Sequence, residues 1–446
     1  MGHWTSKRVL KGLRNPTVRH PSSFSPKLGD ELFHCFRGEI MNSNARNGRR
    51  FNYLFGLINL VAVFCIVWLL WYVFMNPNAV MKLYDPMYGL SLILVFITSI
   101  VLMVNVADYY PFHAKGTKVI TEGIILTVVS ILLMLFLYYV VFWNVIGRFG
   151  VAYFSPRSIV ASGGIGAEPL NARTNASVAI LYFCTTLLWW AIFWSLGFGK
   201  WPWTKVSRGV LAWSRFSTVM FFTFISYAIL FHPAVCQLFY PAQNKAGVAI
   251  WWTGIAGTAS PMFSLGLMFC ILPWIVMSHS LWEGYPWKKL EKNGEDTFAK
   301  GLVTFFGTAI LGVVTCIILL KIMNLFLGEA FVGGQYTDGL DFRYMHAGEI
   351  CAFFMLAATI LRVYFNNFPN TRGLWPRAVI RTTIAIAGGL LIYFFYYSPA
   401  TIFFLGYETG RGSGDTPLAW VIFFQSIIMI HREFFQGWPL TRTDRS

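Results

Sequence analysis

Ten apolar runs, each about as long as a membrane is thick, constrain what this 446-residue chain can fold into. They lie at roughly 51–75, 87–107, 119–144, 176–198, 216–239, 261–281, 301–327, 347–366, 379–398 and 417–434. A helix rises 1.5 Å per residue, so about 20 apolar residues cross a hydrocarbon core of about 30 Å, and within lipid a helix satisfies its own backbone. The runs therefore predict an all-α integral membrane protein with about ten transmembrane helices arranged as five helical hairpins. Charged residues make up only 12% of the chain, against about 25% in ordinary soluble domains, which excludes a soluble globule. Residues 1–50 read as a basic N-terminal tail, 51–434 as the bundle and 435–446 as a short C-terminal tail.

The basic residues orient the bundle. With both termini cytoplasmic, 27 of the 35 Lys and Arg fall in the tails and inner connections, seven fall in outer connections, and Lys321 lies within a span. This is the positive-inside bias, and it points to the cytoplasmic (inner) membrane. It also accounts for the net charge of +16 without nucleic acid, which is not expected as a partner. The tail, with Pro16, Pro21 and Pro26 among its cations, suits an anionic lipid surface or a leader that only sets topology.

Aromatic–proline pairs punctuate the chain. Tyr110–Pro111, Trp201–Pro202, Tyr285–Pro286, Trp375–Pro376 and Trp438–Pro439 stand at the expected inner ends of the even-numbered spans, each close to a basic residue. A sixth pair, Tyr240–Pro241, stands at an outer end. Proline stops a helix, a Trp or Tyr ring anchors in the headgroup zone, and the cation favours the cytoplasmic side, so the pairs read as helix stops. The long outer connections, among them "GEAFVGGQYTDGLDFRYM" and "PATIFFLGYETGRGSGDTP", are rich in Gly and aromatics and place the working face outside, where an extracytoplasmic protein or a second copy of the chain could dock. The seven cysteines include no CxxC pair and read as small buried hydrophobes.

Polar side chains inside spans are costly and therefore informative. An outer group comprises His232, Lys321, Asn324, His346 and Glu349, the expected substrate-binding residues. His346 and Glu349 are three apart, hence on one helix face, and Pro233 beside His232 should kink the fifth helix. His232, His346 and Glu349 could alternatively hold a transition metal. An inner group comprises Glu122, His279, Arg362, His431, Arg432 and Glu433. Two histidines at each depth, His232 and His346 above His279 and His431, are also the pattern of stacked bis-histidine haem b groups. Pro273 and the Gly388–Gly389 pair read as helix interrupters of the kind carriers use.

Three function classes follow. The first is a transporter or channel for a small polar solute. The second is a membrane subunit of an electron-transfer or other respiratory complex, with haem or a metal on the histidines. The third is an intramembrane enzyme acting on a lipid or apolar substrate, with His346 and Glu349 as base and partner or as metal ligands.

Overall fold

The computed structural model describes residues 53–112, 119–149, 151–163, 167–231, 260–327, 340–371, 373–409 and 416–438. Among them the chain is helical throughout, with no strand and one isolated bridge between Lys292 and Glu295. The long helices are α1 (53–75), α2 (Pro86–Val106), α3 (Val119–Phe149), α4 (Pro169–Phe198), α5 (Arg208–Leu230), α6 (Ser260–Ser280), α7 (Phe298–Leu327), α8 (Leu340–Phe365), α9 (Leu374–Tyr396) and α10 (417–434). Nine of them, α1 to α9, are long and apolar enough to cross a membrane. The expected tenth, α10, forms but falls outside that set, because His431, Arg432 and Glu433 fill its last turn and shorten its apolar stretch.

Burial divides the helices into two classes. In α2, α4, α6 and α8 between 72% and 94% of the apolar stretch is buried, and nearly all of α10 from Pro417 to Ile428 is buried too. In α1, α3, α5, α7 and α9 the share is only 17% to 33%. The five buried helices contact one another in a closed cycle, α2 to α4 to α6 to α8 to α10 and back to α2, and the other five pack around them. The peripheral helices turn side chains such as Leu132, Phe306 and Leu391 outward, leaving apolar stripes that water would not tolerate and lipid would.

The same device closes every helix of the inner cycle. The N–H of an aromatic residue donates to the carbonyl three residues earlier: Tyr110 to Ala107, Trp201 to Phe198, Tyr285 to Trp282, Phe368 to Phe365 and Trp438 to Phe435, at 2.8 to 3.1 Å. One or two left-handed residues precede the aromatic: Asp108 and Tyr109, Gly199, Glu283 and Gly284, Asn366 and Asn367, and Gln436 and Gly437. A proline follows each time, and the aromatic–proline bonds at 110–111, 201–202, 285–286 and 368–369 are cis. The left-handed residues reverse the chain and satisfy the last carbonyls of the helix, as in a Schellman cap.

Two sequence expectations change here. The turn after α8 uses Phe368–Pro369, whereas Trp375–Pro376 lies in the first turn of α9, where proline is well tolerated. A search confined to Trp and Tyr passes over the Phe. Likewise, Gly388 and Gly389 do not interrupt α9, which runs unbroken through them. Tyr240–Pro241 lies outside the described residues.

Each peripheral helix starts against one of these turns, and always the same number of steps round the cycle. Gly123 of α3 lies on Phe435, Gly209 of α5 on Tyr110, Gly301 of α7 on Phe198, and Gly56 of α1 on the Tyr364 carbonyl. In α9, Arg381 donates to the Leu281 carbonyl at 3.0 Å. Buried cations reinforce the arrangement. Arg215 donates to the Gly199 carbonyl at 2.7 Å, and Arg381 also reaches Glu283 at 3.0 Å and Asn370 at 2.5 Å. Lys300 Nζ lies 2.7 Å from Asp296 and 2.6 Å from Glu291, while the other Asp296 oxygen accepts the Lys200 N–H. Cations counted from sequence as topological signals are, at these positions, clamps on the turns.

Candidate functional site

A cavity of about 970 Å³ lies among α6, α7, α8 and α9. Its walls are almost wholly apolar, formed by side chains such as Trp274 and Met277 of α6, Ile318 and Ile322 of α7, Ile350 and Phe354 of α8, and Ile386 and Leu390 of α9. Pro273 also contributes, and within α6 it leaves the Phe269 carbonyl without its usual helical donor. The polar groups gather towards the end opposite the aromatic–proline turns, where Arg343, His346, Tyr393 and Tyr397 join the lining.

At that end stands a hydrogen-bonded chain. His346 Nδ1 is 2.9 Å from Glu349 Oε2, and His346 Nε2 is 2.9 Å from the Tyr393 hydroxyl. Both members of the pair on α8 are buried, Glu349 being only 2% exposed. Helical spacing of three puts the carboxylate beside the imidazole, and α9 brings the phenol to the other nitrogen. With the carboxylate ionised, Nδ1–H donates to it, so Nε2 accepts from the Tyr393 hydroxyl. Phe353 and Tyr397 meet the Tyr393 ring edge-on at 5.5 and 4.9 Å and fix its direction. A carboxylate that orients an imidazole against a hydroxyl is the arrangement of general acid–base chemistry.

The fold itself does not require these residue types. Counting back from each turn proline by the interval that separates His346 and Glu349 from Pro369 gives Tyr88 and Ser91, Ala179 and Tyr182, Phe263 and Gly266, and Thr416 and Ala419. The helix closest in chemistry is α2, where Tyr88 pairs with Tyr139 and Ser91 lies 2.8 Å from Tyr138. Five comparable positions thus hold neutral pairs in four helices and an ionisable pair in one. A purely architectural role for His346 and Glu349 leaves that difference without a reason.

The other sequence candidates fall in different places. Asn324 accepts a hydrogen bond from Arg343 Nη1 and so joins α7 to the polar end. Lys321 is exposed on α7 and is not part of the lining. His232, with Pro233, lies outside the described residues. His279 and His431 sit near the turn end, far along their helices from the level of His346. Nδ1 of His279 donates to the Ile275 carbonyl at 3.0 Å, and His431 Nδ1 is 3.0 Å from the Tyr364 hydroxyl. Both ring nitrogens of His346 are engaged by protein groups. Among the described residues no three His, Cys, Asp or Glu side chains are arranged to hold a metal ion. Cys270, Cys316 and Cys351 are buried together beside the cavity and Cys184 is buried too, as expected of small hydrophobes, whereas Cys65 of α1 is exposed, contrary to that expectation.

Tyr393 and Arg343 escaped the sequence reading. Tyr393 is one of several aromatics in "LLIYFFYYSP", and Arg343 counted only as an outer charge. Neither carries a local signal, since each is defined by a partner on another helix. Comparison with known protein families, curated proteins and solved structures finds no match.

Proposed function

We propose that this chain is an intramembrane enzyme that draws a lipid or other predominantly apolar substrate into the α6–α9 cavity and acts on it by proton transfer through His346. Glu349 holds the imidazole in one tautomer, and the Tyr393 hydroxyl donates to, or is activated by, its far nitrogen. The observation that carries the reading is an apolar cavity whose strongly polar lining, among the described residues, gathers at this hydrogen-bonded chain and Arg343. Such a lining suits a substrate that is mostly hydrocarbon, because a polar solute would leave its own groups without partners there.

The proposal includes ten spans arranged as five hairpins, with both termini and the five turns on the cytoplasmic side of the inner membrane, supported by the distribution of Lys and Arg. The cavity's polar end then faces outward.

The test is turnover by the purified protein in detergent with a membrane lipid extract and no gradient, read as product by mass spectrometry. His346→Gln and Glu349→Gln should abolish product while leaving the protein folded and its binding of a photoreactive apolar probe intact. Turnover that survives both substitutions sinks the assignment. A carrier is the second reading, favoured by Pro273 in a helix that lines the cavity. It yields no product in detergent but moves substrate between leaflets in vesicles.

A further inference from the structure

We propose that the molecule taken into this cavity is a membrane amphiphile with an acyl chain and an anionic headgroup, admitted sideways from the leaflet at the end opposite the turns. This rests on the reading of the cavity as a substrate site. Three observations lead to it.

The first is depth. The lining of α8 runs from Arg343 to Phe354 and that of α9 from Ile386 to Tyr397. At 1.5 Å per residue each stretch is about 16 Å, half of a hydrocarbon core of about 30 Å. The cavity is therefore one leaflet deep and runs along the helices, as an acyl chain does in the bilayer.

The second is the open side. Helices α7 and α9 both line the cavity, yet they make no extensive contact with each other. Ile318 and Ile322 of α7 and Phe394 of α9 belong to the lining and are exposed rather than packed against a neighbouring helix, Phe394 to 66%. Among the described residues the wall towards the lipid is thus a cleft between two peripheral helices. An acyl chain is already on the far side of that cleft, whereas a polar solute would have to cross hydrocarbon to reach it.

The third is charge. Arg343 lines the polar end of the cavity, near the start of α8, where a headgroup would lie. Lys321, one turn before Asn324 on α7, is exposed outside the lining. Among the described residues no Asp or Glu belongs to the lining. A guanidinium presents a planar fork of donors matched to carboxylate or phosphate oxygens. An acidic headgroup is drawn to this end, where Arg343 also holds Asn324, and meets no like charge among the described lining residues.

The experiment uses the full chain in phosphatidylcholine nanodiscs doped with a diazirine-bearing palmitic acid or with its methyl ester, at a pH where the acid is ionised. After irradiation, labelled peptides are mapped by mass spectrometry. The acid should label the lining segments of α7, α8 and α9, and the ester should label them about tenfold less, as expected for loss of one charge-assisted hydrogen bond. Arg343→Gln should erase the preference, Arg343→Lys should keep part of it, and Ile350→Trp should remove lining labels from both probes. Equal labelling of the lining by acid and ester in the wild type overturns the headgroup assignment and leaves the cavity reading standing. Absence of lining labels with either probe overturns both.

Discussion

Two neighbouring glycines in α9 should respond oppositely to the same substitution. A Cβ on Gly389 would stand 2.7 Å from Phe354 Cδ1 and 2.9 Å from the Phe354 backbone nitrogen and Cα. Ordinary carbon contacts begin near 3.5 Å, so α8 and α9 must separate by about 0.6 Å to admit it. Overpacking of that kind costs about 1–3 kcal/mol, because the obstruction is backbone and cannot swing away. One residue earlier, a Cβ on Gly388 meets only Ala357 Cβ at 3.5 Å. Alanine gains about 1 kcal/mol over glycine in a helix interior, and that gain applies to both positions. The difference between Gly389→Ala and Gly388→Ala is therefore the overpacking alone, about 1–3 kcal/mol. Thermal unfolding of the two variants in one detergent, followed by tryptophan fluorescence, should place Gly389→Ala below the wild type and Gly388→Ala level with it or above. If both melt together, α8 and α9 are not packed as described. The comparison also separates the two readings of this dipeptide, since a flexible hinge would be stiffened by either alanine.

The clamp on the turn after α4 gives a second stability test. Lys300→Met leaves Asp296, whose side chain is fully buried, without its cation, a change that typically costs about 3–5 kcal/mol. The yield of monodisperse protein should collapse, and adding Asp296→Asn should restore much of it. A Lys300→Met protein as stable as the wild type would show that the pair is solvated. The remaining expectations concern function: loss of turnover with retained binding in His346→Gln and Glu349→Gln, and loss of acid-over-ester preference in Arg343→Gln.

What the chain's residues settle by themselves is the class of fold and its punctuation. Apolar runs of bilayer length cannot be satisfied in water, so their number and spacing determine an all-helical membrane bundle, and proline after an aromatic marks where the inner helices stop, Trp375–Pro376 at the start of α9 being the exception. The pairing of His346 with Glu349 was also legible, because residues three apart on one helix are neighbours whatever surrounds them. Tertiary structure decided the rest. Which helices form the inner cycle could not be read from hydropathy, since lipid and protein interior are equally apolar; α7 is as hydrophobic as α2 and far less buried. That Arg215, Lys300 and Arg381 serve as buried clamps depends on turns outside their own helices, 16 residues away for Arg215, 100 for Arg381, and 96 for Asp296, which Lys300 holds. Tyr393, Arg343 and the apolar walls join His346 only because α7, α8 and α9 converge, and no local pattern encodes a contact between side chains on different helices.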